Sequence, residues 1–247
     1  MALILEAGMI RVEPNTYSHL WFKFFHIGIS ETRTSEEVDF VCACAPLPDF
    51  RKVVDVCCGM GRHARVLFSR GYSVTGVDRD IAAIIRAREL AGGPSYVHTD
   101  VRDYQPNACA YDLTIIMSQS FGYFDASTNR DVLRPLTAGM REGGRVILDL
   151  WNPEFFSAHQ GERDLELPDG VVRERKRVED GRLFVHLDYP DGGYDDFEWE
   201  LFGREQMTLL ADSMDLDLII ACTDFDIAIE PGPGNPRIQF VLERRFA

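Results

Sequence analysis

The run VVDVCCGMGRHA, residues 53–64, holds the first residues of this chain whose types and spacing could do chemistry. A strand-like apolar stretch passes into Gly59-Met60-Gly61 and then into a helical segment. Glycines let the backbone turn tightly and let a ligand approach where a Cβ would stand, and the helix start beyond offers free N–H groups. A nucleotide-like ligand is expected across this turn. Read alone, Gly59-x-Gly61-x-x-Ala64 also fits a dinucleotide fingerprint, and an ordinary strand-to-helix turn is the bland alternative. Asp78 ends the next strand-like run, where a carboxylate can accept hydrogen bonds from both hydroxyls of a ribose. Asp100 ends the third, on the side toward which an adenine would extend. Either alone could be a strand-end cap; their common placement at the carboxyl edge of successive strands favours a shared ligand.

To reach one edge, these residues need a parallel sheet. The runs 52–56, 72–78, 95–100, 111–117 and 144–150 read as its strands. Between them lie helical patterns: 62–71 with Ala64, Leu67 and Phe68 on one face and Gly71 as its stop, and 80–90 with Ile81, Ile84 and Ile85 inward. A third spans 128–140, where Pro135 implies a kink or a later start. After Leu150, VVRERKRV, RLFVHLDY and DFEWELF alternate in the manner of antiparallel strands joined by hairpins, an insertion of roughly fifty residues too small to core itself easily. A helix over 204–214 and two closing strands complete the pattern. The expected organisation is an N-terminal helical lid (1–50), a cofactor-binding core (51–150), the β insertion (151–202) and completion of the sheet (203–247).

With 247 residues and 45% hydrophobic content, the chain can build a well-cored globular fold, which excludes disorder as its main state. Its 26 basic against 40 acidic residues give a net charge of −14, which repels phosphate backbones and anionic membranes. No stretch approaches the ~20 apolar residues of a membrane span and the start lacks a basic leader, so a cytoplasmic location is expected. The six cysteines and six histidines show no zinc spacing or HExxH; the thiols read as small, buried and reduced, and nothing calls for a metal.

The blocks VVDVCCGMGRHARVLFSRGYSVTGVD, SQSFGYFD, LRPLTAGMREGGRVILDLWNPEFF and RIQFVLERR resemble class I S-adenosylmethionine-dependent methyltransferases. The greatest similarity is to small bacterial enzymes whose first motif reads CGxGRH and whose fourth strand is followed by SFGYF. The resemblance covers essentially the whole chain. It implies an α/β, Rossmann-like seven-stranded sheet with an antiparallel last strand and flanking helices, and S-adenosylmethionine as cofactor. Matched position by position, Gly59 and Gly61 turn under the methionine portion and Asp55 orients its amino group. Asp78 holds the ribose with Arg79 beside the adenine, Asp100 and Val101 form the adenine edge, and Met117 and Ser118 pass beneath the methionine; Tyr17 joins these contacts. Cys58 and Met60 depart from the smaller or polar residues often found there. A dinucleotide reading is disfavoured, since Asp55 would repel a pyrophosphate and attract an ammonium.

Methyl transfer from a sulfonium is an in-line displacement, so acceptor residues are expected at the same strand ends. That criterion selects Ser120, Phe121, Tyr123 and Phe124 after the fourth strand, and Asp149, Trp151 and Asn152 around the end of the fifth. Tyr123 could hydrogen-bond the acceptor and Asp149 could act as base, against packing and strand-end capping as plain alternatives. Asp224 and Asp226, after the sixth strand, could recognise a cationic acceptor, or simply belong to a strand-end turn. TYSHLWFKFFHIG (16–28) could close as an aromatic lid with His26 titrating near neutral pH, or pack its aromatics into the core. RERKR (173–177) reads as a solvated sheet face. The leading expectation is methylation of a small-molecule O or N acceptor, with specificity set by 151–202 and the N-terminal segment. The insertion could instead pair two copies into a homodimer, and a non-catalytic cofactor-binding module or a macromolecule methyltransferase are the competing functions.

Overall fold

A computed structural model describes residues 15–25, 30–90 and 93–246. The chain runs through α1 (His19–Phe25), α2 (Glu31–Cys44), β1 (Lys52–Val56), α3 (Arg62–Ser69), β2 (Ser73–Asp78), α4 (Ile81–Glu89) and β3 (Ser95–His98). It continues through β4 (Tyr111–Ile116), α5 (Ala126–Ala138), β5 (Met140–Trp151), α6 (Pro153–Ala158), β6 (Gly161–Leu167) and β7 (Gly170–Glu179). Strands β8 (Arg182–Asp188) and β9 (Tyr194–Glu200), helix α7 (Arg204–Asp212), β10 (Leu216–Cys222) and β11 (Arg237–Arg244) complete it. Seven strands form one sheet in the order β10-β11-β5-β4-β1-β2-β3. The sheet is parallel except for β11, which pairs antiparallel with β5 and β10. This is the expected seven-stranded architecture.

Strands covered on both faces send alternate side chains to opposite sides. Val54 and Val56 join Leu133 and Leu136 of α5 and Met207 and Leu210 of α7. Val53 instead joins Val38 and Val41 of α2 and Ala64 and Leu67 of α3. Side-chain caps fix where the helices start: Ser30 accepts from the Arg33 N–H, Asp80 from Ala82 and Ala83, and Asp125 from Ser127 and Thr128. Helix α5 therefore begins well before Pro135, which sits in its last turn.

Three side chains expected inward are exposed. Leu67 and Ile84 are buried, and their neighbours Phe68 and Ile85, turned about 100° around the helix, face outward. Ile81 is exposed in the first turn of α4, just past the sheet edge where β2 ends. Cys109 likewise departs from the buried-thiol expectation by being exposed, and all six cysteines are free.

The insertion is a four-stranded antiparallel sheet, β6-β7-β8-β9, one strand more than the alternation predicts. It does form a core: Val172, Leu183, Leu187, Phe197 and Trp199 pack with Phe24 of α1 and Phe156 of α6. The basic run on β7 is neutralised within the sheet. Arg173 pairs with Asp164 at 3.2 Å, Arg175 with Asp188 at 2.9 Å, and Arg177 with Glu179. Lys176 is the exception to a solvated face, buried against the Phe156 ring with Glu174 at 3.0 Å. Among the described residues, no helix is long and apolar enough to cross a membrane.

Candidate active site

Strand β1 is flanked by β2 and β4, whose onward connections leave to opposite sides, so a crevice opens at the carboxyl ends of these strands. There the chain turns through Cys57 at φ 58°, Gly59 at φ 53° and Gly61 at φ 74°, the left-handed region in which glycine carries no steric penalty. The two glycines differ in purpose. A Cβ on Gly61 would stand 2.3 Å from the Tyr96 hydroxyl, whereas one on Gly59 would meet nothing within 4 Å. Gly61 lets α3 pack on β3; Gly59 leaves open space over the turn. Replacing Gly61 with alanine should cost about 1–3 kcal/mol from the strained φ and the Tyr96 clash together, a loss that urea denaturation would read.

Asp78 is held by two backbone donors: the Gly59 N–H reaches its Oδ2 at 2.7 Å and the Asp80 N–H its Oδ1 at 2.8 Å. Each oxygen keeps a second lone pair for another donor. Asp100 is clamped by Arg102, whose guanidinium and backbone N–H hold the carboxyl below its ordinary range. Beneath the turn, burial pushes Asp55 up to about 7 against the opposing pull of Arg62 and the Ala64 N–H, and its Oδ2 has no partner.

Beyond β4 the backbone turns left-handed twice in succession, at Ser118 and Gln119. Non-glycine residues rarely adopt this, and here the surroundings over-determine it. Ser118 N–H donates to Asp149 Oδ2 at 2.9 Å and Gln119 N–H to the Asp149 carbonyl at 2.8 Å. Fully buried Asp149 also accepts from Gln239 at 2.8 Å and pairs with Arg237. From the other side, Arg62 donates to Ser118 Oγ at 2.6 Å, to Thr34 at 3.1 Å and to Glu37. Burial opposes ionisation of Glu37, but the His63 hydrogen bond at 2.8 Å and the Arg62 charge overcome it and hold the carboxyl at about 2. Burial holds the His63 imidazole below its ordinary value.

The outer wall is the segment 15–25. Tyr17, Trp21 and Phe25 line the cavity from it, and the Tyr17 and Tyr123 hydroxyls meet at 2.7 Å. Burial raises both phenols. Asn15 pins the wall: its Nδ2 donates to the Tyr123 carbonyl at 3.1 Å, its Oδ1 accepts from the Glu198 N–H at 2.8 Å, and its carbonyl accepts from Arg79 at 3.3 Å. Ser18 adds a bond to Asp195 at 2.8 Å.

One cavity of about 1050 Å³ gathers these groups. Of the residues singled out from sequence, Gly59, Asp78, Arg79, Asp100 and Val101 line one end of it, and Tyr17, Ser118, Ser120, Phe121 and Tyr123 the rest. Asp55 and Gly61 lie behind the turn instead. Met117 is buried in the core, because only the residue after it turns outward. Asp149 is no free base: its oxygens are consumed by the strand-end network. Trp151 packs edge-on against Phe156 and Trp199, and Asn152 caps α6 and donates to the Gly232 and Asn235 carbonyls at 2.8 Å, so neither reaches the cavity. Asp224 is exposed and bonded to Asn235. His26 lies outside the described residues. No residue of 151–202 lines the cavity; the insertion acts from behind, holding the wall through Asn15, Ser18 and the packing of Phe197 on Tyr17. Sequence reading missed Arg33, Glu37, Arg62 and Arg237, all of which line the cavity. Only Arg62 carried a signal, through its place in CGxGRH.

Residues 53–144 match a protein family described as a methyltransferase domain. Glycine N-methyltransferase of Oryctolagus cuniculus is 25% identical over 50% of this chain, and glycine/sarcosine N-methyltransferase of Aphanothece halophytica is 26% identical over 64%. The matched stretches span 48% and 63% of those relatives' own lengths. The structure of an S-adenosylmethionine-dependent methyltransferase from Clostridium acetobutylicum superposes with a TM-score of 0.74 at 17% identity, covering 92% of this chain and 97% of that one. The chain has the fold of an S-adenosylmethionine-dependent methyltransferase, and the stretch that builds its glycine turn and its Asp78 and Asp100 edges is the one that matches the methyltransferase domain family.

Proposed function

We propose that this chain is an S-adenosylmethionine-dependent methyltransferase acting on the nitrogen of a small-molecule acceptor. The observation that carries the reading is Asp78, fixed by two backbone N–H groups at the cavity edge beside the open space over Gly59. The residues fit the cofactor: the orphaned Asp55 Oδ2 is an unused acceptor beneath the turn, and Asp78 retains acceptor capacity for a diol. Bound S-adenosylmethionine supplies a methyl group activated on a sulfonium. The chain's own part is to orient and to exclude water. Asp78 and Arg79 set one end, the turn at Ser118 and Gln119 sets the other, and the aromatic wall of Tyr17, Trp21 and Tyr123 shields the space between.

Nitrogen is favoured over oxygen by the state of the lining groups. Glu37 is tied to His63 and Arg62, and Asp100 to Arg102, while Tyr17 and Tyr123 hold their protons at neutral pH. An acceptor that arrives as a neutral amine brings its own lone pair and needs no base at the moment of transfer. The glycine and glycine/sarcosine N-methyltransferases among the relatives support the same choice.

Calorimetry is expected to show binding of S-adenosylmethionine and S-adenosylhomocysteine far tighter than of NAD; binding of NAD with neither sulfur nucleoside would overturn the assignment. Asp78→Ala should weaken sulfur-nucleoside binding by ~1–3 kcal/mol through loss of two charge-assisted hydrogen bonds. Turnover of methyl-labelled cofactor with a panel of small amines separates an enzyme from a binding module.

A further inference from the structure

Among the described residues, two pairs of consecutive non-glycine residues take the left-handed backbone: Ser118-Gln119 after β4, at φ 56° and 57°, and Asp224-Phe225 after β10, at φ 53° and 58°. Both lie at the edge of the sheet that carries the cavity, since β10 runs in the direction of β4 and β5. Such turns are costly unless their surroundings hold them. In each, a backbone N–H donates to a fully buried side chain: Ser118 to Asp149 Oδ2 at 2.9 Å, and Phe225 to Gln239 Oε1 at 3.0 Å. The two acceptors are themselves joined, Gln239 Nε2 donating to Asp149 Oδ1 at 2.8 Å between register partners of β11 and β5. One hydrogen-bonded line therefore runs from the turn after β10 to the turn that lines the cavity.

The amide is the group this line requires at its centre. A carboxylate could not donate to Asp149, an ammonium could not accept from Phe225, and the reversed amide would set N–H against N–H and oxygen against oxygen. The far turn also reaches the cavity by a second path. Phe225 packs edge-on against Phe40 at 5.6 Å between ring centres, and Arg33, which lines the cavity, lies over its ring at 4.8 Å. Arg33 bonds Glu37, and Glu37 bonds Arg62, which donates to Ser118 Oγ.

We propose that Gln239 is a positioning residue that makes the Ser118-Gln119 and Asp224-Phe225 turns one mechanical unit, so that a ligand held against Ser118 is felt at Phe225, and the reverse. The relay stands on its geometry alone; that the ligand is S-adenosylhomocysteine rests on the methyltransferase reading.

Amide hydrogen exchange in the full chain, resolved by magnetic resonance, reads the coupling from both ends. Phe225→Ala removes the ring that braces the far turn and leaves Gln239 and Asp149 in place. It is expected to speed exchange at Ser118 and Gln119 roughly five-fold or more. In Gln239→Met, of similar length but able to make neither bond, adding Phe225→Ala changes those two amides no further. In Arg33→Gln, which cuts the second path, the effect of Phe225→Ala persists; this variant decides the matter should Gln239→Met fail to fold by circular dichroism. Reciprocally, saturating S-adenosylhomocysteine slows exchange at Phe225 in the wild type and not in Gln239→Met. The proposal is overturned if Phe225→Ala leaves Ser118 unchanged, if its effect survives Gln239→Met or vanishes in Arg33→Gln, or if bound S-adenosylhomocysteine leaves Phe225 unprotected. A wild-type chain that binds no S-adenosylhomocysteine would count against the proposed function instead, and the Phe225→Ala comparisons would still decide the relay.

Discussion

Asp55→Asn stabilises the folded chain at pH 8 by on the order of 2–4 kcal/mol and leaves it unchanged near pH 4. Unfolded, this carboxyl ionises at its ordinary 3.8; folded, burial lifts it to about 7. Between those values the folded state binds more protons than the unfolded one, so the wild-type chain loses stability as pH rises from about 4 to about 7. Above that window the cost is complete. An amide of the same shape carries no charge and escapes it, so the difference between the two proteins opens across this interval and then stays level. Urea denaturation at a series of pH values reads it directly, and equal stability at pH 8 would show that Asp55 is compensated. The same variant binds S-adenosylhomocysteine several-fold more weakly, because it removes a negative charge from beneath the turn.

The opposite sign is expected at Asp149. Asp149→Ala costs about 3–5 kcal/mol, because it strands Arg237, Gln239 and the Ser118 N–H in a buried site. Asp149→Asn recovers part of this, since one amide oxygen still accepts, though not from all three. A general base would behave differently: its removal would lower kcat and flatten the pH profile while the melting temperature held. Thermal unfolding and pH–rate profiles of both variants therefore distinguish a carboxylate that shapes the backbone from one that moves protons.

Much of this site was legible in sequence where backbone conformation makes the demand. Gly59 and the strand-ending Asp78 and Asp100 stand at positions set by strand length and turn geometry, which are local. What stayed hidden is carried by contacts between distant residues. Glu37, Arg62, Ser118, Asp149 and Arg237 form one network across β4, β5, β11 and two helices, and no spacing rule links them. Asp149 looked available because its burial depends on Arg237 and Gln239, made some ninety residues later. Strand β6 was missed for a simpler reason. Its first four residues, Gly161 to Asp164, are all exposed, so GERDLEL offers little apolar period to detect. The wall that closes the cavity was expected partly from the insertion, yet it comes from residues 15–25; the insertion's aromatic face is occupied in holding that wall.

The position of β11 bears on the order in which the molecule can assemble. Strand β11, which follows β10 in the chain, sits between β5 and β10, in the body of the sheet. While a nascent chain lacks it, β5 is a bare edge and Asp149 has no cation beside it, so the two left-handed residues after β4 lose the anchor that holds them. The stretch 53–144, recognisable as a domain by its sequence, is therefore not a self-sufficient folding unit. Its ligand cavity takes shape only when distant contacts close, a non-local topology that makes for slow folding and leaves β5 open to mispairing until β11 has joined the sheet.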